Sequence, residues 1–319
     1  MANSAPQNTG NEGGLLLNYE ETLMAKAAWY YYYESLTQQQ ISDRLGVTRM
    51  RVIKLLDKAR QNGIIRFQIR SESAKRMDIE QQLVEKYDLK DCFIVPAPER
   101  IEDTNENVAQ AASMYISARV PEEAFINIGY GDTCGRILNH LAIHAEHALS
   151  FVSLTGGVSY YLPNATSGVF HSKLYLIPSP LVASTNEMAE AMKTERSVKE
   201  IRQLIPLSFL SVVGIGAMND EATKVRSGIL SPNDLLLLQR NGAVGDILSH
   251  FIDEDGNPIP TSLDEKAVST HLSELKNLKN VIGVAAGLHK VPAIRSALKG
   301  KYLNTLITDE DTALEIAGE

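Results

Sequence analysis

The stretch from Leu36 to Ile69 constrains this chain of 319 residues most, because it has the pattern of two short helices joined by a tight turn. Thr37 can cap the first helix, and Gly46 can end it, since glycine tolerates the left-handed backbone that such a turn needs. Thr48 can cap the second helix. The apolar residues of that helix share one face at helical spacing: Val52, Leu55 and Leu56. The pattern predicts a helix-turn-helix whose second helix reaches the major groove of DNA.

The distribution of charge supports a nucleic-acid contact at this segment. Between Arg44 and Arg76 there are ten Lys and Arg against two acids, a balance of +8, whereas the whole chain carries −8 and the remainder therefore −16. A basic helix that only faces solvent would explain the charge alone. Its combination with two capped helices and a glycine turn favours DNA. The residues predicted to contact DNA are Thr37, Gln38, Thr48, Arg49, Met50, Arg51 and Lys54.

Two flanking segments add to this module. Glu20–Tyr33 has helical character, and its run Trp29–Tyr33 would place aromatic rings on every side of a helix. One face is expected to pack on the two helices; the other is open to a second subunit, to phosphate, or simply to solvent. Ile64–Ile69 alternates like a short strand, which predicts a small wing.

Composition limits the class of protein. A hydrophobic content of 44% is enough for a full core, and two cysteines are too few for a disulfide framework. No run approaches the roughly 18 apolar residues that span a bilayer, and Met1–Gly14 lacks the basic and apolar regions of a signal peptide. We therefore expect a cytoplasmic protein with no membrane partner.

The chain is expected to divide into a disordered leader at 1–17, a helix-turn-helix domain at 18–72, a connector helix at 73–90 and an α/β domain at 91–319. In the last, apolar runs predict strands at Cys92–Val95, Phe125–Ile128, Phe151–Leu154, Lys173–Ile177, Phe209–Val213, Val281–Ala285 and Tyr302–Ile307. Helical segments between them include Val108–Ala118, Asn186–Glu195 and Val291–Leu298. This alternation predicts a parallel sheet with a ligand crevice beyond the carboxyl ends of its strands.

Glycine-rich loops follow several of these apolar runs. The loop Gly129–Gly135 leads into a helix, and backbone N–H groups at a helix N-terminus readily hold a phosphate, although one such loop often only joins strand to helix. Several on one edge favour a ligand cleft, in which Asp246 could accept hydrogen bonds from sugar hydroxyls and Lys290 could neutralise a phosphate. The residues predicted to bind a small ligand are Gly131, Asp132, Thr133, Gly156, Gly157, Val158, Asp246 and Lys290.

No cofactor or metal is expected. His140, His144 and His147 have helical spacing, but no acidic residue accompanies them in a metal-binding pattern. A solvated helix face is the preferred interpretation of these histidines.

The motifs resemble those of the SorC family of bacterial sugar-responsive transcription regulators over nearly the full length. They are Leu36-Thr37-Gln38, Ile41–Gly46, Gly63–Ile65, Leu154–Val158, Val213–Ala217, Gly242–Ile247 and Tyr302–Asp309. The resemblance implies a winged helix-turn-helix domain, a sugar-phosphate-binding domain related to isomerases and deaminases, and a tetramer. It further implies that Asp246 and Lys290 contact the effector and that the Gly131–Thr133 turn faces its phosphate.

Within the family, the chain is most similar to the quorum-sensing branch that answers to phosphorylated autoinducer-2. That branch has a Gly-Gly pair where this chain has Ala286-Gly287-Leu288-His289, so the pocket wall and the accepted sugar are expected to differ. The expected partners are double-stranded operator DNA, a small phosphorylated sugar and further copies of the chain, as a dimer or tetramer. Two reader helices would then meet successive major grooves of a two-fold symmetric operator.

Two alternatives remain at this point. The larger domain could be a working sugar-phosphate isomerase or deaminase fused to a DNA reader, but deaminases of this type continue their Gly-Ile-Gly loop with Asp-Gly-His. Here Gly214-Ile215-Gly216 continues as Ala217-Met218-Asn219-Asp220, without the histidine that acid–base chemistry needs. Alternatively, the second domain could serve oligomerisation alone.

Overall fold

The structure is a computed structural model that describes residues 12–67, 70–144, 148–157, 172–220 and 222–318. The chain forms two compact units, Met1–Ser71 and Glu72–Glu319, which we name the reader module and the sheet domain. In the described part of the chain, no helix is both long enough and apolar enough to cross a membrane.

The reader module contains three α-helices within its described residues, with a π-helical turn at Trp29–Tyr33. They are α1 Glu12–Ala28, α2 Gln38–Leu45 and α3 Arg49–Gln61. Helix α1 begins inside the segment that the sequence suggested as a leader, whose first eleven residues lie outside the described part. Of the aromatic run, Tyr30 packs against the core, whereas Trp29, Tyr31, Tyr32 and Tyr33 are exposed.

The ends of α2 and α3 are formed by the predicted capping residues. Thr37 accepts a hydrogen bond from the Gln40 N–H at 3.3 Å, and the Gln40 side chain accepts one from the Thr37 N–H in return, which is a capping box. Gly46 ends α2 at a φ of 66°, where a side chain would be strained. Thr48 accepts from the Arg51 N–H at 3.2 Å and begins α3.

A single apolar core joins the three helices. Its buried members are Met24, Ala27, Ala28, Ile41, Val52, Leu55, Leu56 and Ala59. The expected wing strand is not formed at residues 64–67, and Gln68 and Ile69 lie outside the described residues. Ile64 and Ile65 instead pack on the core, and the Ile65 N–H donates to the Ala59 carbonyl at 3.2 Å. The alternation of this segment therefore reflects packing on α3.

The sheet domain is built on a seven-stranded sheet whose strand pairs are all parallel, in the order β1-β10-β9-β5-β2-β3-β4. Its strands are β1 Asp91–Val95, β2 Phe125–Ile128, β3 Ser150–Ser153, β4 Lys173–Tyr175, β5 Leu210–Gly214, β9 Val281–Val284 and β10 Thr305–Asp309. A small antiparallel sheet in the order β6-β7-β8 was not predicted. Its strands are β6 Gly216–Ala217, β7 Gly245–Ile247 and β8 His250–Ile252.

Helices cover both faces of the large sheet. Neighbouring strand residues join different apolar cores, as Val212 and Val213 do, because successive side chains point to opposite faces. The helices are α4 Ser71–Tyr87, α5 Thr104–Ser117, α6 Asp132–His144, α7 Asn186–Thr194, α8 Arg196–Arg202, α9 Thr223–Arg226, α10 Pro232–Arg240, α11 Ser262–Lys266, α12 Leu272–Leu275, α13 Val291–Lys299 and α14 Glu310–Ala317.

Helix α4, expected as a connector, packs into the sheet domain through Ile79 and Leu83. Its first turns are held by an ion pair in which Arg76 meets the Glu310 carboxylate at 3.1 Å. The Ile94 N–H also donates to the Glu80 side chain at 2.7 Å, which ties α4 to β1. These contacts make α4 a part of the sheet domain rather than a free linker.

Candidate functional sites

A cavity of about 820 Å³ lies at the carboxyl ends of neighbouring strands in the large sheet. Its walls come from the segments that follow β2, β5, β9 and β10, which are adjacent in the strand order, and from Pro98 and Ile101 after β1. This is the edge at which a parallel α/β sheet is expected to bind its ligand. The cavity is large enough for a small phosphorylated sugar.

One side of the cavity suits an anion. The turn Gly131–Thr133 opens the 13-residue helix α6, whose first N–H groups have no partner within the helix and whose dipole favours negative charge. Lys290, half-buried, lines the same cavity from the segment after β9. Burial lowers the pKa of the Lys290 ammonium below its ordinary value, while Asp132 and Asp246 act in the opposite direction.

Asp132 lies at the start of α6, where its negative charge would oppose an anion unless it were compensated. The Arg136 Nε donates to the Asp132 carboxylate at 3.0 Å, and the Asn105 side chain donates at 3.3 Å. Asp132 is thus held and neutralised by neighbours on α5 and α6. It is better placed to orient the helix start than to contact a phosphate directly.

The same cavity is lined by a buried ion pair between Lys224 and Asp246, which expose 6% and 10% of their side chains. Burial alone would lower the pKa of Lys224, but the Asp246 carboxylate holds it above its ordinary value. The Ser249 N–H also donates to Asp246 at 3.2 Å. A carboxylate fixed in this way can accept hydrogen bonds from sugar hydroxyls.

Sequence reasoning missed Lys224, because it lies in the short helix α9 with no motif around it. Gly216 shows the signal that could have pointed to this arrangement. A Cβ at Gly216 would lie 2.1 Å from the Asp246 Oδ1, so only glycine lets β6 pass the carboxylate. The second glycine of the Gly-Ile-Gly loop therefore makes room for Asp246.

Further cavity groups come from the chain after β9 and β10. The Gly287 N–H donates to the Asp309 carboxylate at 2.9 Å, which fixes the turn at a φ of 104°. His289 and Arg226 also line the cavity. Sequence reasoning did not predict Arg226, which adds a second cation that could meet a phosphate.

The structure brings Gly131, Asp132, Thr133, Asp246 and Lys290 to this cavity, as the sequence suggested. Gly156 and Gly157 do not line it. Their N–H groups donate to the carbonyls of Val268 and Ser179, each at 2.7 Å, so their role is to pack the loop after β3. The predicted Val158 lies outside the described residues.

The predicted DNA-facing residues differ in how they are placed. Arg49, Met50 and Lys54 are exposed on α3. The Arg49 Nε donates to the Gln38 side chain at 3.4 Å, which joins the starts of α2 and α3. The side chains of Thr37 and Thr48 act as helix caps.

Arg51, the remaining predicted contact, is turned toward α1. Its guanidinium meets the Glu20 carboxylate at 3.1 Å, and Lys58 meets the same carboxylate at 2.8 Å. Local patterns cannot predict this arrangement, because Glu20 and Arg51 are separated by the π-helical turn and by α2.

The histidines of α6 have an acidic neighbour that spacing could not reveal. His140 Nε2 lies 2.7 Å from the Glu106 carboxylate, and the His140 and His144 rings stack with centroids 6.1 Å apart. His147 lies outside the described residues. Among those described, no group of three or more His, Cys, Asp and Glu side chains could hold a metal ion.

Comparison with known proteins agrees with both units. Residues 71–317 match the family described as "Putative sugar-binding domain", and residues 29–62 match sigma-70 region 4. The transcriptional regulator LsrR of Klebsiella pneumoniae is 35% identical over 298 residues, which cover 92% of each chain. LsrR of Escherichia coli K12 is 36% identical over 301 residues, which cover 93% of this chain and 95% of the relative.

A solved structure has the same fold over nearly the whole chain. The sorbitol operon regulator SorC of Klebsiella pneumoniae superposes with a TM-score of 0.68 and covers 93% of this chain and 98% of its own. Its sequence is 24% identical to this one, so the likeness concerns the fold.

Proposed function

The chain belongs to the SorC family of sugar-responsive, DNA-binding transcription regulators, and from that premise we propose that it represses an operon for the uptake of a carbohydrate or autoinducer. We propose a small phosphorylated sugar as its effector. The observation that carries this proposal is the cavity at the carboxyl ends of β2, β5, β9 and β10, which is lined by the cations Lys290 and Arg226 and by the fixed carboxylate of Asp246.

We place the phosphate of the effector at the start of α6. Backbone N–H groups of the Gly131–Thr133 turn would donate to it, and Lys290 would supply the opposing charge. Arg226 lines the same cavity and can share this charge. Two cations with a helix N-terminus favour a dianion over a neutral sugar, because each interaction depends on ligand charge.

We place the hydroxyl groups of the sugar next to the Asp246 carboxylate. Its carboxylate is oriented by Lys224 and by the Ser249 N–H, so it does not need to reorganise when a hydroxyl arrives. A ligand without hydroxyls at this point would leave the carboxylate buried and less well paired, which costs binding energy.

On DNA, we place α3 in the major groove, with Arg49, Met50 and Lys54 toward the bases and backbone. A two-fold symmetric operator requires at least two copies of the reader module, and we propose a dimer or a tetramer. A protein that reads an operator in this way works in the cytoplasm.

Helix α4 is the proposed route from effector to reader. Glu310, which holds Arg76 in the first turns of α4, lies between Asp309 and Asp311, and both of these line the cavity. The chain leads directly from the reader module into this helix. An effector that changes the segment after β10 can therefore bias the position of α4, to the extent that it prefers one arrangement.

The test is a thermal melting screen of the full chain against sugars with and without phosphate, followed by operator gel shifts with the compounds that stabilise it. A true effector at about a hundred times its dissociation constant adds about 2.7 kcal/mol to stability. We expect phosphorylated sugars to raise the melting temperature and their unphosphorylated forms to have no comparable effect. Equal stabilisation by both forms would contradict the phosphate assignment.

A turnover assay on the same sugar phosphates decides between a regulator and an enzyme fused to a reader. We expect ligand-induced stabilisation without product. Conversion of a bound sugar phosphate at a rate abolished by Asp246→Asn would favour the enzyme.

A further inference from the structure

The Glu20 side chain forms ion pairs with two cations of α3. Its carboxylate accepts hydrogen bonds from the Arg51 guanidinium at 3.1 Å and from the Lys58 ammonium at 2.8 Å. Arg51 and Lys58 are seven residues apart, two turns of helix, so they lie on the same flank of α3. The bonds from Lys58 and Arg51 lower the pKa of Glu20, so the carboxylate is charged at neutral pH.

All three side chains remain within reach of solvent. Glu20 exposes 33% of its side chain, Arg51 42% and Lys58 49%. Met50 and Lys54 are exposed between this flank and the flank of Arg49. A helix seated in a major groove meets the phosphates of the groove walls with its flanks, so Arg51 and Lys58 are placed to meet one wall.

A phosphate of the DNA backbone could bridge the same arginine and lysine as the Glu20 carboxylate does. Carboxylate and phosphate oxygens accept the same charge-assisted hydrogen bonds from these donors. Because the single negative charge of Glu20 offsets one of the two positive charges, Arg51 and Lys58 attract DNA less strongly than two unpaired cations would. The protein therefore meets random DNA with a net charge of +1 at this cluster instead of +2.

We propose that Glu20 stands in for a backbone phosphate and is exchanged for one only when α3 is fully seated in its operator. This rests on the proposed function, in that α3 is the helix that faces DNA. Glu20 then lowers affinity for random DNA more than affinity for the operator. It is a determinant of specificity that touches no base.

The salt dependence of binding gives the expected size of the effect. Each phosphate contact adds about 0.9 to the slope of log affinity against log salt on duplex DNA. Without the Glu20 charge, Arg51 and Lys58 can contact phosphate on any sequence. The slope for random DNA should therefore steepen by about one, because Glu20 offsets one positive charge, whereas the slope for the operator should change little.

The experiment compares Glu20→Gln with Glu21→Gln in the full chain. Glu21 is an exposed acid in the next position of α1, so its replacement changes net charge equally without touching Arg51 or Lys58. The probes are a duplex selected from a random pool by the full-length protein and a shuffled duplex of the same composition. Affinity for each is measured over a range of salt concentrations.

We expect Glu20→Gln to bind the shuffled duplex several-fold more tightly than the wild-type protein and to discriminate less between the two probes. Glu21→Gln should resemble the wild type. Equal behaviour of the two variants would overturn the proposal. In the background Arg51→Ala with Lys58→Ala, the change Glu20→Gln should have no more effect than Glu21→Gln has there, because the cations it releases are gone.

That double-alanine protein also provides a test if Glu20→Gln fails to fold. We expect it to lose more affinity for the selected duplex than for the shuffled duplex; equal losses on both would overturn the proposal. The variant Lys54→Ala separates this inference from the proposed function. If Lys54→Ala has no effect on the affinity for either duplex, the placement of α3 in the major groove is wrong. If Lys54→Ala weakens binding but Glu20→Gln and Glu21→Gln have equal affinities for each duplex, only the role of Glu20 is wrong.

Discussion

The two units of this protein use charge in opposite ways. In the reader module, cations lie at the surface, and even the paired Arg51 and Lys58 keep over 40% of their side chains exposed. In the sheet domain, Lys224 and Asp246 are almost fully buried. Exposed cations suit a long polyanion met in water, whereas buried and preorganised groups suit a small ligand that must be told from its isomers. DNA binding by the exposed cations should therefore depend on salt concentration, whereas effector binding by the buried groups should depend on packing and pH.

Removal of Asp246 should have the largest effect on the sheet domain. Asp246→Ala leaves the Lys224 ammonium buried without its carboxylate, and a broken buried pair typically costs about 3–5 kcal/mol. Chemical denaturation of the full chain measures this loss as a decrease in the free energy of unfolding. The variant should also lose stabilisation by sugar phosphates.

Its control is the double variant Lys224→Met with Asp246→Ala, which removes both charges. Replacing a buried pair with apolar groups is often neutral, so much of the lost stability should return while effector binding stays absent. If the double variant is no more stable than Asp246→Ala, the cost does not come from an unpaired charge. The contrast between the two units would then lose its main support.

A smaller change should act on the same carboxylate through the backbone. In Gly216→Ala, the new Cβ would lie 2.1 Å from the Asp246 Oδ1, so Asp246 must move. Forced overpacking costs about 1–3 kcal/mol. Effector affinity, measured by calorimetry, should fall about tenfold or more, since about 1.4 kcal/mol is a factor of ten.

Gly135→Ala is the matched control. Gly135 lies in α6, and a Cβ there would meet nothing within 4 Å. Alanine is favoured over glycine inside a helix, so this variant should be slightly more stable and bind effector normally. Similar losses in both variants would mean that Asp246 is not positioned by β6.

Much of the sheet domain follows from the sequence. Apolar runs predicted β2 at its observed bounds and the other strands of the large sheet within a few residues, because the strands of a parallel sheet covered by helices are mostly apolar. The small sheet of β6, β7 and β8 was missed because its strands have two or three residues each. A pattern of period two cannot be recognised over so short a length.

The candidate site was predictable where it depends on the ends of long elements. The turn Gly131–Thr133 and Lys290 each follow a strand and precede a helix, and topology brings such positions together. Lys224 and Glu20 depend on tertiary packing, and neither has a local signal. Gly156 looked equivalent to Gly131 in the sequence, yet its N–H is used by Val268.

The reader module should respond to salt through individual exposed cations. Lys54→Ala should lower operator affinity about uniformly across sequences and reduce the salt slope by about one. If Arg49 reads a base, Arg49→Ala should cost about 1–3 kcal/mol at one operator position. Fluorescence anisotropy with labelled duplexes at several salt concentrations measures both. Effector affinity in the sheet domain should be unchanged in these variants, and a shared loss would contradict the division of roles.

The smallest expected effect is a dependence of effector binding on pH, which only the buried site should show. Burial lowers the pKa of Lys290, so the unfolded chain binds more protons than the folded one between the lowered and the ordinary value. In that window, stability of the free protein should rise with pH.

A phosphate bound beside Lys290 favours its charged form, so effector affinity should fall as pH rises through the lowered pKa. Lys290→Arg keeps a charge at every accessible pH and should flatten this dependence. Calorimetric titration from about pH 8 to about pH 10 measures the change, which should be at most about tenfold. Parallel curves for wild type and Lys290→Arg would place the phosphate elsewhere in the cavity.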